Sequence, residues 1–348
     1  MRILFLYTEL ADYTISCLKQ LKIDNPEVEI AVIHYPVNPE APFLFDFKEI
    51  GNFRDINDFK SFAEIKRFAE NFHPSKIVVS GWSNKWYFRL CLFGRRQSTC
   101  ILTMDNHWTA SLRQKVLLLF SRFIFPAIFK KIWIPGKPQV QYALNLGFKK
   151  EQIIEGFYSC DTGFYIKLGA EANEIKSQHF PKRLICVARY IPAKNYNLLW
   201  KAFIEWKEHT NNEWELWCAG TGADFEDRVK HPSIQHLGFI QKNEWKEIIQ
   251  QTGVFVLPSL SEPWGVVVHE FAASGYPLIL SNKIGAASSF LTDKNGWLFD
   301  PGSKNELIEA FTKLDKASAA ALLEMGRKSS EAAKKITPAL WSASLVEI

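Results

Sequence analysis

The chain has 348 residues, 47% of them hydrophobic and 23% charged, with a formal net charge of +5. That length is too great for one ordinary core and fits two domains, and the apolar content is that of a soluble protein. Six cysteines, Cys17, Cys91, Cys100, Cys160, Cys186 and Cys218, show neither metal-ligand nor C-x-x-C spacing, so reduced and mostly buried thiols are expected, with no metal site and no disulfide framework.

The chain opens on a short apolar run, MRILFLYTEL, whose residues 3–7 read as a strand. Glu9 and Asp12 end it too soon for a signal peptide, which makes a cytoplasmic location the default expectation. Strands are predicted next at 29–34, 76–80, 99–103 and 132–135, with helical stretches such as 58–72 and 138–146 between them. Such alternation is what a parallel α/β sheet requires. Charge is spread unevenly. Residues 1–150 carry 21 Lys and Arg against 13 Asp and Glu, and between positions 80 and 137 ten cations face a single acid, Asp105. A basic face on the first domain suits an anionic acceptor or an anionic membrane surface, with a merely solvated face as the plain alternative. No nucleic-acid module accompanies the charge, so nucleic acid is not expected as a partner.

The stretch 116–134, VLLLFSRFIFPAIFKKIWI, is apolar enough to test as a membrane span. Arg122, Pro126, Lys130 and Lys131 interrupt it, so no run reaches spanning length. A buried helix of the first domain is the preferred reading and an interfacial helix the alternative. Trp82, Trp86, Tyr87 and Trp108 either stack on sugars or fill the core, and core is the simpler expectation.

In the second half, strands are predicted at 183–187, 213–219, 234–237, 254–257 and 277–280. The polar, poorly patterned segment 169–181 reads as a linker, giving domains 1–168 and 169–336, with a last helix, 337–348, returning to the first domain. Residues 254–257 are a β-branched and aromatic run ending at Pro258. After it, Pro263 suits a first helical turn, Gly265 permits close backbone approach, and a short helix at 266–274 stops at Gly275 and Pro277. The amides near Gly265 and Val266 would offer a phosphate both donors and the positive end of the helix dipole. Glu270, about one turn inside, suits a pair of ribose hydroxyls, and Glu262 on the loop a sugar ring. Two solvated acids on an amphipathic helix are the plainer alternative. Arg189 and Lys194 follow a strand, where two cations can clamp a diphosphate or simply decorate a loop. Gly220 and Gly222 bring backbone amides beside a nucleotide, or serve steric needs alone.

In this order, Glu262, Pro263, Gly265, Glu270, Ala272, Gly275 and Pro277 resemble the E-x7-E signature of the retaining glycosyltransferases of family 4, which have the two-domain GT-B fold. Four further segments of the second half resemble the same family: LICVARY at 184–190 with Lys194, LWCAGTG at 216–222, IQHLGFI at 234–240 and NGWLFD at 295–300. Residues 153–165 resemble the family's strand and G-x-D-x-x-x-F segment leading between domains. The resemblance implies an α/β GT-B architecture, two Rossmann-like domains whose parallel sheets face an interdomain cleft. It implies a nucleoside-diphosphate sugar as donor, a glycan or lipid-linked hydroxyl as acceptor, transfer with retention of configuration, and no metal or cofactor. Arg189 and Lys194 would stabilise the departing diphosphate, Glu270 hold the ribose and Glu262 the donor sugar. His107, in the segment Asp105-Asn106-His107-Trp108, resembles the family histidine that contacts the donor sugar. No enzymatic base is implied; the leaving phosphate oxygen would take the acceptor proton. One departure stands out: Thr8, Glu9, Leu10 and Ala11 occupy the loop where many relatives carry glycines.

Two rival readings belong to other classes. A GT-B epimerase or hydrolase would act on the donor alone, and a silent scaffold would bind nucleotide without turnover. The E-x7-E neighbourhood resembles transferases more closely than the first, and the intact set Arg189, Lys194, Glu262 and Glu270 argues against the second. A cytoplasmic enzyme, peripheral at the inner face of the membrane if its basic face docks there, is the resulting expectation.

Overall fold

The computed structural model describes residues 1–40 and 42–348. The chain divides into two compact units, one of residues 1–38, 45–159 and 338–348, the other of residues 39–44 and 160–337.

The first unit contains β1 (Arg2–Tyr7), α1 (Asp12–Asp24), β2 (Glu29–His34), β3 (Asn52–Asp55), α2 (Phe62–Phe72), β4 (Lys76–Ser80), α3 (Lys85–Gly94), β5 (Thr99–Thr103), α4 (Leu112–Ile128), β6 (Lys131–Trp133), α5 (Lys137–Asn145) and β7 (Ile153–Ile154). Its seven strands form one sheet in the order β3-β2-β1-β4-β5-β6-β7, every pair parallel. The central strands are buried on both faces, which is why β1 reads ILFLY without alternation.

The second unit contains α6 (Thr162–Gln178), β8 (Arg183–Val187), α7 (Tyr196–Thr210), β9 (Glu215–Ala219), β10 (Ile234–Gly238), α8 (Trp245–Gln251), β11 (Val254–Leu257), α9 (Val266–Ala273), β12 (Leu278–Ser281), α10 (Ala287–Phe290), β13 (Gly296–Phe299), α11 (Lys304–Lys316) and α12 (Ala319–Ala333). Its six strands run β10-β9-β8-β11-β12-β13, again all parallel. The last helix, α13 (Pro338–Glu347), belongs to the first unit, where it packs on α1. There Trp341 stacks on Trp133 with centroids 5.0 Å apart. Lys76 Nζ donates to the carbonyls of Leu345 and Val346, both at 2.7 Å, and so caps α13 with a cation where the helix dipole is negative. The six cysteines are buried thiols.

Several local expectations are corrected. Residues 169–181 are not a linker, because α6 runs through them to Gln178. Its buried Tyr165, Leu168, Ala172 and Lys176 recur at helical spacing, but the lysine and a polar outer face hide the pattern. The helix expected from 58 begins at Phe62, since Ser61 caps it and the Lys60 amide donates to the Glu64 carboxylate at 2.8 Å. The edge strand β3, NFRD, went unread because it lacks an apolar face.

The largest correction concerns α4. The stretch is helical, and no helix among the described residues is long and apolar enough to cross a membrane. It is not the buried helix preferred from sequence: of its 17 residues only Ser121, Phe125 and Ile128 are buried. Leu112, Val116, Leu119, Phe120, Phe123 and Ile124 are exposed, by 44 to 78%. Tyr87 is core, and Trp82, Trp86 and Trp108 pack against the core, partly buried.

Candidate active site

In a doubly wound parallel sheet, ligands bind beyond the carboxyl ends of the strands, at the point where strand order reverses. In the second unit that point lies between β8 and β11. The loop after β8 carries Arg189 and Lys194, and the loop after β11 carries Glu262. The structure brings two of these together: Lys194 Nζ and the Glu262 carboxylate form an ion pair, with side chains only 15% and 13% exposed.

The backbone fixes that pairing. Asn195 adopts a left-handed conformation, φ 59°, and its Nδ2 donates to the carbonyls of Pro258 at 3.1 Å and Pro301 at 3.0 Å. The Leu260 amide donates to Ala193 O at 2.9 Å, so the loops after β8 and β11 are tied on both sides of Lys194. On the other flank, the Glu262 amide donates to Lys283 O and the Gly285 amide to Glu262 O, at 3.1 and 3.0 Å. Pro263 therefore lies in this paired segment ahead of α9, not in a helical turn as the sequence suggested.

Arg189 is placed differently. It is exposed, and its guanidinium donates to the carboxylate of Glu40 at 3.2 Å. Glu40 belongs to residues 39–44, a short piece that is part of the second unit although far away in sequence. The same piece accepts from Thr221 Oγ1 through Glu40 O and from Gln241 Nε2 through Pro42 O, both at 3.0 Å, while Phe43 meets Phe239 edge-on at 5.2 Å. Sequence reasoning missed Glu40, and no local pattern marks it. Asn195 was legible: asparagine is among the few residues that tolerate the left-handed region, and it stands next to Lys194.

Gly220 and Gly222 lie against the chain that carries Arg189. A Cβ on Gly220 would meet Ala188 O at 2.0 Å, and one on Gly222 would meet Tyr190 O at 2.6 Å, with φ of 127° and 151°. Both glycines are thus required by close packing of the two loops.

Gly265 takes φ 91° and begins α9, where the amides of Val266 and Val267 have no carbonyl one turn earlier within the helix to bond. Glu270 is half-buried one turn on. The helix is anchored from behind by His269, fully buried, whose Nδ1 accepts from the Cys160 amide at 3.2 Å. Its Nε2 then donates to Ala333 O at 2.9 Å. Burial pushes this imidazole down to about 4, so it is neutral at pH 7 and the tautomer is set by these two partners.

In the first unit the order reverses between β1 and β4, and a cavity of about 240 Å3 opens there. Thr8, Tyr13, Ser80 and Thr103 give it hydroxyls, and Glu9 and Asp105 give it carboxylates, with no lysine or arginine among the described residues of its lining. The Thr8 amide donates to Ser80 Oγ at 2.9 Å, and Tyr158 Oη donates to Asp105 Oδ2 at 3.2 Å. His107 sits half-buried in the loop after β5, where its carbonyl accepts from Gln114 Nε2 at 2.8 Å; it does not line this cavity.

The chain has similar stretches and a similar fold among known proteins. Residues 170–336 match the family model described as Glycosyl transferases group 1. An uncharacterized glycosyltransferase of Methanocaldococcus jannaschii is 27% identical over 124 residues, 34% of this chain and 32% of that protein. Sucrose-phosphate synthase of Zea mays is 37% identical over 62 residues, 18% of this chain and 6% of that protein. The matched stretches thus span about a third or less of these relatives. The crystal structure of Anabaena HepE in complex with UDP and glucose superposes with a TM-score of 0.76 at 12% identity, covering 100% of this chain and 98% of that one. The fold is therefore GT-B, two Rossmann-like parallel sheets, and it is residues 170–336 that match the group 1 glycosyltransferase domain.

Proposed function

We propose that the chain is a retaining glycosyltransferase of family 4 that moves a sugar from a nucleoside-diphosphate sugar to a hydroxyl of a glycan or glycolipid acceptor, without a metal or other cofactor. The observation that carries this reading is the half-buried Lys194–Glu262 pair at the switch point of the second sheet, beside the start of α9. An ammonium has three donors, so Lys194 can hold Glu262 and a diphosphate oxygen together. Arg189 and the amides of Gly265 and Val266 complete a positive cradle for the leaving group, Glu270 takes the ribose hydroxyls, and Glu262 orients the donor sugar. The backbone amides at Gly220 and Gly222 border the nucleotide. The bond from the anomeric carbon to the phosphate oxygen breaks as the acceptor oxygen bonds to that carbon on the same face. The acceptor proton passes to the departing phosphate oxygen. His107 is retained as a donor-sugar contact on the family resemblance alone.

The acceptor fits the cavity of the first unit, whose hydroxyls and two carboxylates suit a neutral polyol better than the anionic acceptor suggested by the basic charge of that region. The cations find another use. The exposed apolar face of α4 lies on a helix that also exposes Arg113, Lys115 and Arg122, a composition that favours peripheral contact with an anionic membrane.

The test is turnover with chelator present: nucleoside-diphosphate sugars are offered with and without polyol acceptors, and the product anomer is read by NMR. Acceptor-dependent release of nucleoside diphosphate with an unchanged anomeric configuration supports the reading. Donor cleavage or epimerisation without acceptor would turn it to the epimerase or hydrolase class, and binding without release to a scaffold.

A further inference from the structure

At the far end of α9 from Gly265, about 12 Å along an eight-residue helix, lies a second cavity that the donor site does not use. It measures about 540 Å3, within the range of small-molecule pockets, and is lined by α6, α12 and the turn after α9. Backbone contacts fix its walls. A Cβ on Gly169 of α6 would meet Ser274 O at 2.4 Å, and one on Gly326 of α12 would meet Gly275 O at 2.0 Å, so both helices rest directly on that turn.

Lys176 lines this cavity and is 95% buried, at a relative exposure of 5%. Among the described residues its ammonium has no hydrogen bond and no carboxylate partner; it stands 4.0 Å over the ring of Tyr276. A long amine buried this way normally finds an acid. The one carboxylate in the cavity wall, Glu324, is engaged by Arg327 in two hydrogen bonds of 2.7 Å and by Lys328 at 3.7 Å. Arg327 also pairs with Glu331. Lys334 at the rim is exposed and makes no ion pair among the described residues. Glu171 on α6 is bound to Lys246 at 3.0 Å. The remaining wall is mixed, apolar at Ile166, Ala273 and Leu323 and polar at Asn173, Ser274 and Ser330. Among the described residues, two unpaired amines therefore meet a partly apolar cavity in which no acid is free.

We infer that this cavity is a binding site for an organic anion with one acidic group on a short apolar body, its acid on Lys176 and Lys334 and its body against Ile166 and Leu323. Desolvation holds the Lys176 amine down to about 7 in the empty cavity, and an anion brought beside it raises that value, so binding takes up a proton.

Hexanoate is the probe. Titration calorimetry on the full chain at pH 8, in two buffers of unequal ionisation enthalpy, is expected to show saturable binding with uptake approaching one proton. Hexanol, with the same body and no charge, is expected to bind at least tenfold more weakly. Lys176→Met should abolish both the binding and the uptake, and Lys334→Gln should weaken binding severalfold. Saturating nucleoside diphosphate should leave the hexanoate affinity unchanged, which separates this site from the donor site. Equal affinity for hexanoate and hexanol, absence of proton uptake, or undiminished binding to Lys176→Met would overturn the inference; the hexanol comparison needs no variant to fold.

Discussion

The two sheets share one winding, yet the rims at their switch points carry opposite chemistry. In the second unit the rim holds cations, Lys194 and Arg189, each paired with a carboxylate, and glycines packed against the Arg189 loop. In the first unit it holds hydroxyls and two carboxylates with no lysine or arginine among its described residues, and Thr8, Glu9 and Leu10 stand where glycines would let a phosphate approach. On the proposed reading, one topology is divided between two ligands: charge and bare backbone for a diphosphate, hydroxyl groups for a polyol. Fold alone does not set that division; the residues of the loops do.

The sharpest way to break the comparison is at the Lys194–Glu262 pair. Lys194→Ala and Glu262→Gln should each lower kcat by about 100- to 1000-fold, the usual scale for losing a group that stabilises transition-state charge. The double variant should be little worse than either single one, because the two act as a unit. Additive losses in a kinetic cycle would count against a shared role.

Next in size is the support beneath the second rim. His269 is held near 4 in the folded chain and titrates near 6.5 when unfolded. Between those values the unfolded chain binds more protons, so stability should fall as pH drops from 6.5 toward 4, by on the order of 3 kcal/mol if the full shift is realised. Denaturant midpoints across pH 4 to 7 would show it, and His269→Gln should flatten the slope in that window.

In the first unit, Asp105→Asn and Glu9→Gln should raise KM for a polyol acceptor about tenfold, the worth of one hydrogen bond to a charged group, and leave nucleotide affinity untouched. A change in nucleotide affinity would dissolve the contrast between the rims. The smallest effect belongs to Glu40→Ala. Its pair with Arg189 is exposed on both sides, so stability should shift by less than about 1 kcal/mol. Release of the guanidinium should tighten diphosphate binding slightly, in a manner that fades with added salt.

Much of the second unit was legible in the sequence. The strand before Arg189 follows from an apolar run, and the strand before Glu262 and the short helix 266–273 from apolar runs stopped by proline or glycine. What escaped was long-range. Nothing near Glu40 predicts that it meets Arg189, 149 residues away, and nothing near Lys194 says that its first partner is Glu262. In the first unit the apolar stretch of α4 was read as core because hydrophobicity does not reveal which face finds a partner; its exposure is a fact of packing. Helix α6 was hidden by the reverse effect, a lysine at a buried position that breaks the apolar pattern.

The central claim, that the cationic rim of the second unit binds a nucleoside diphosphate without metal, is tested most directly by calorimetric titration with the uridine, guanosine, adenosine, cytidine and thymidine diphosphates in the presence of chelator. One of them should bind the wild type saturably, and Glu270→Ala and Lys194→Ala should each weaken it at least tenfold. Undiminished affinity in both variants, or binding that vanishes with the chelator, would contradict the account.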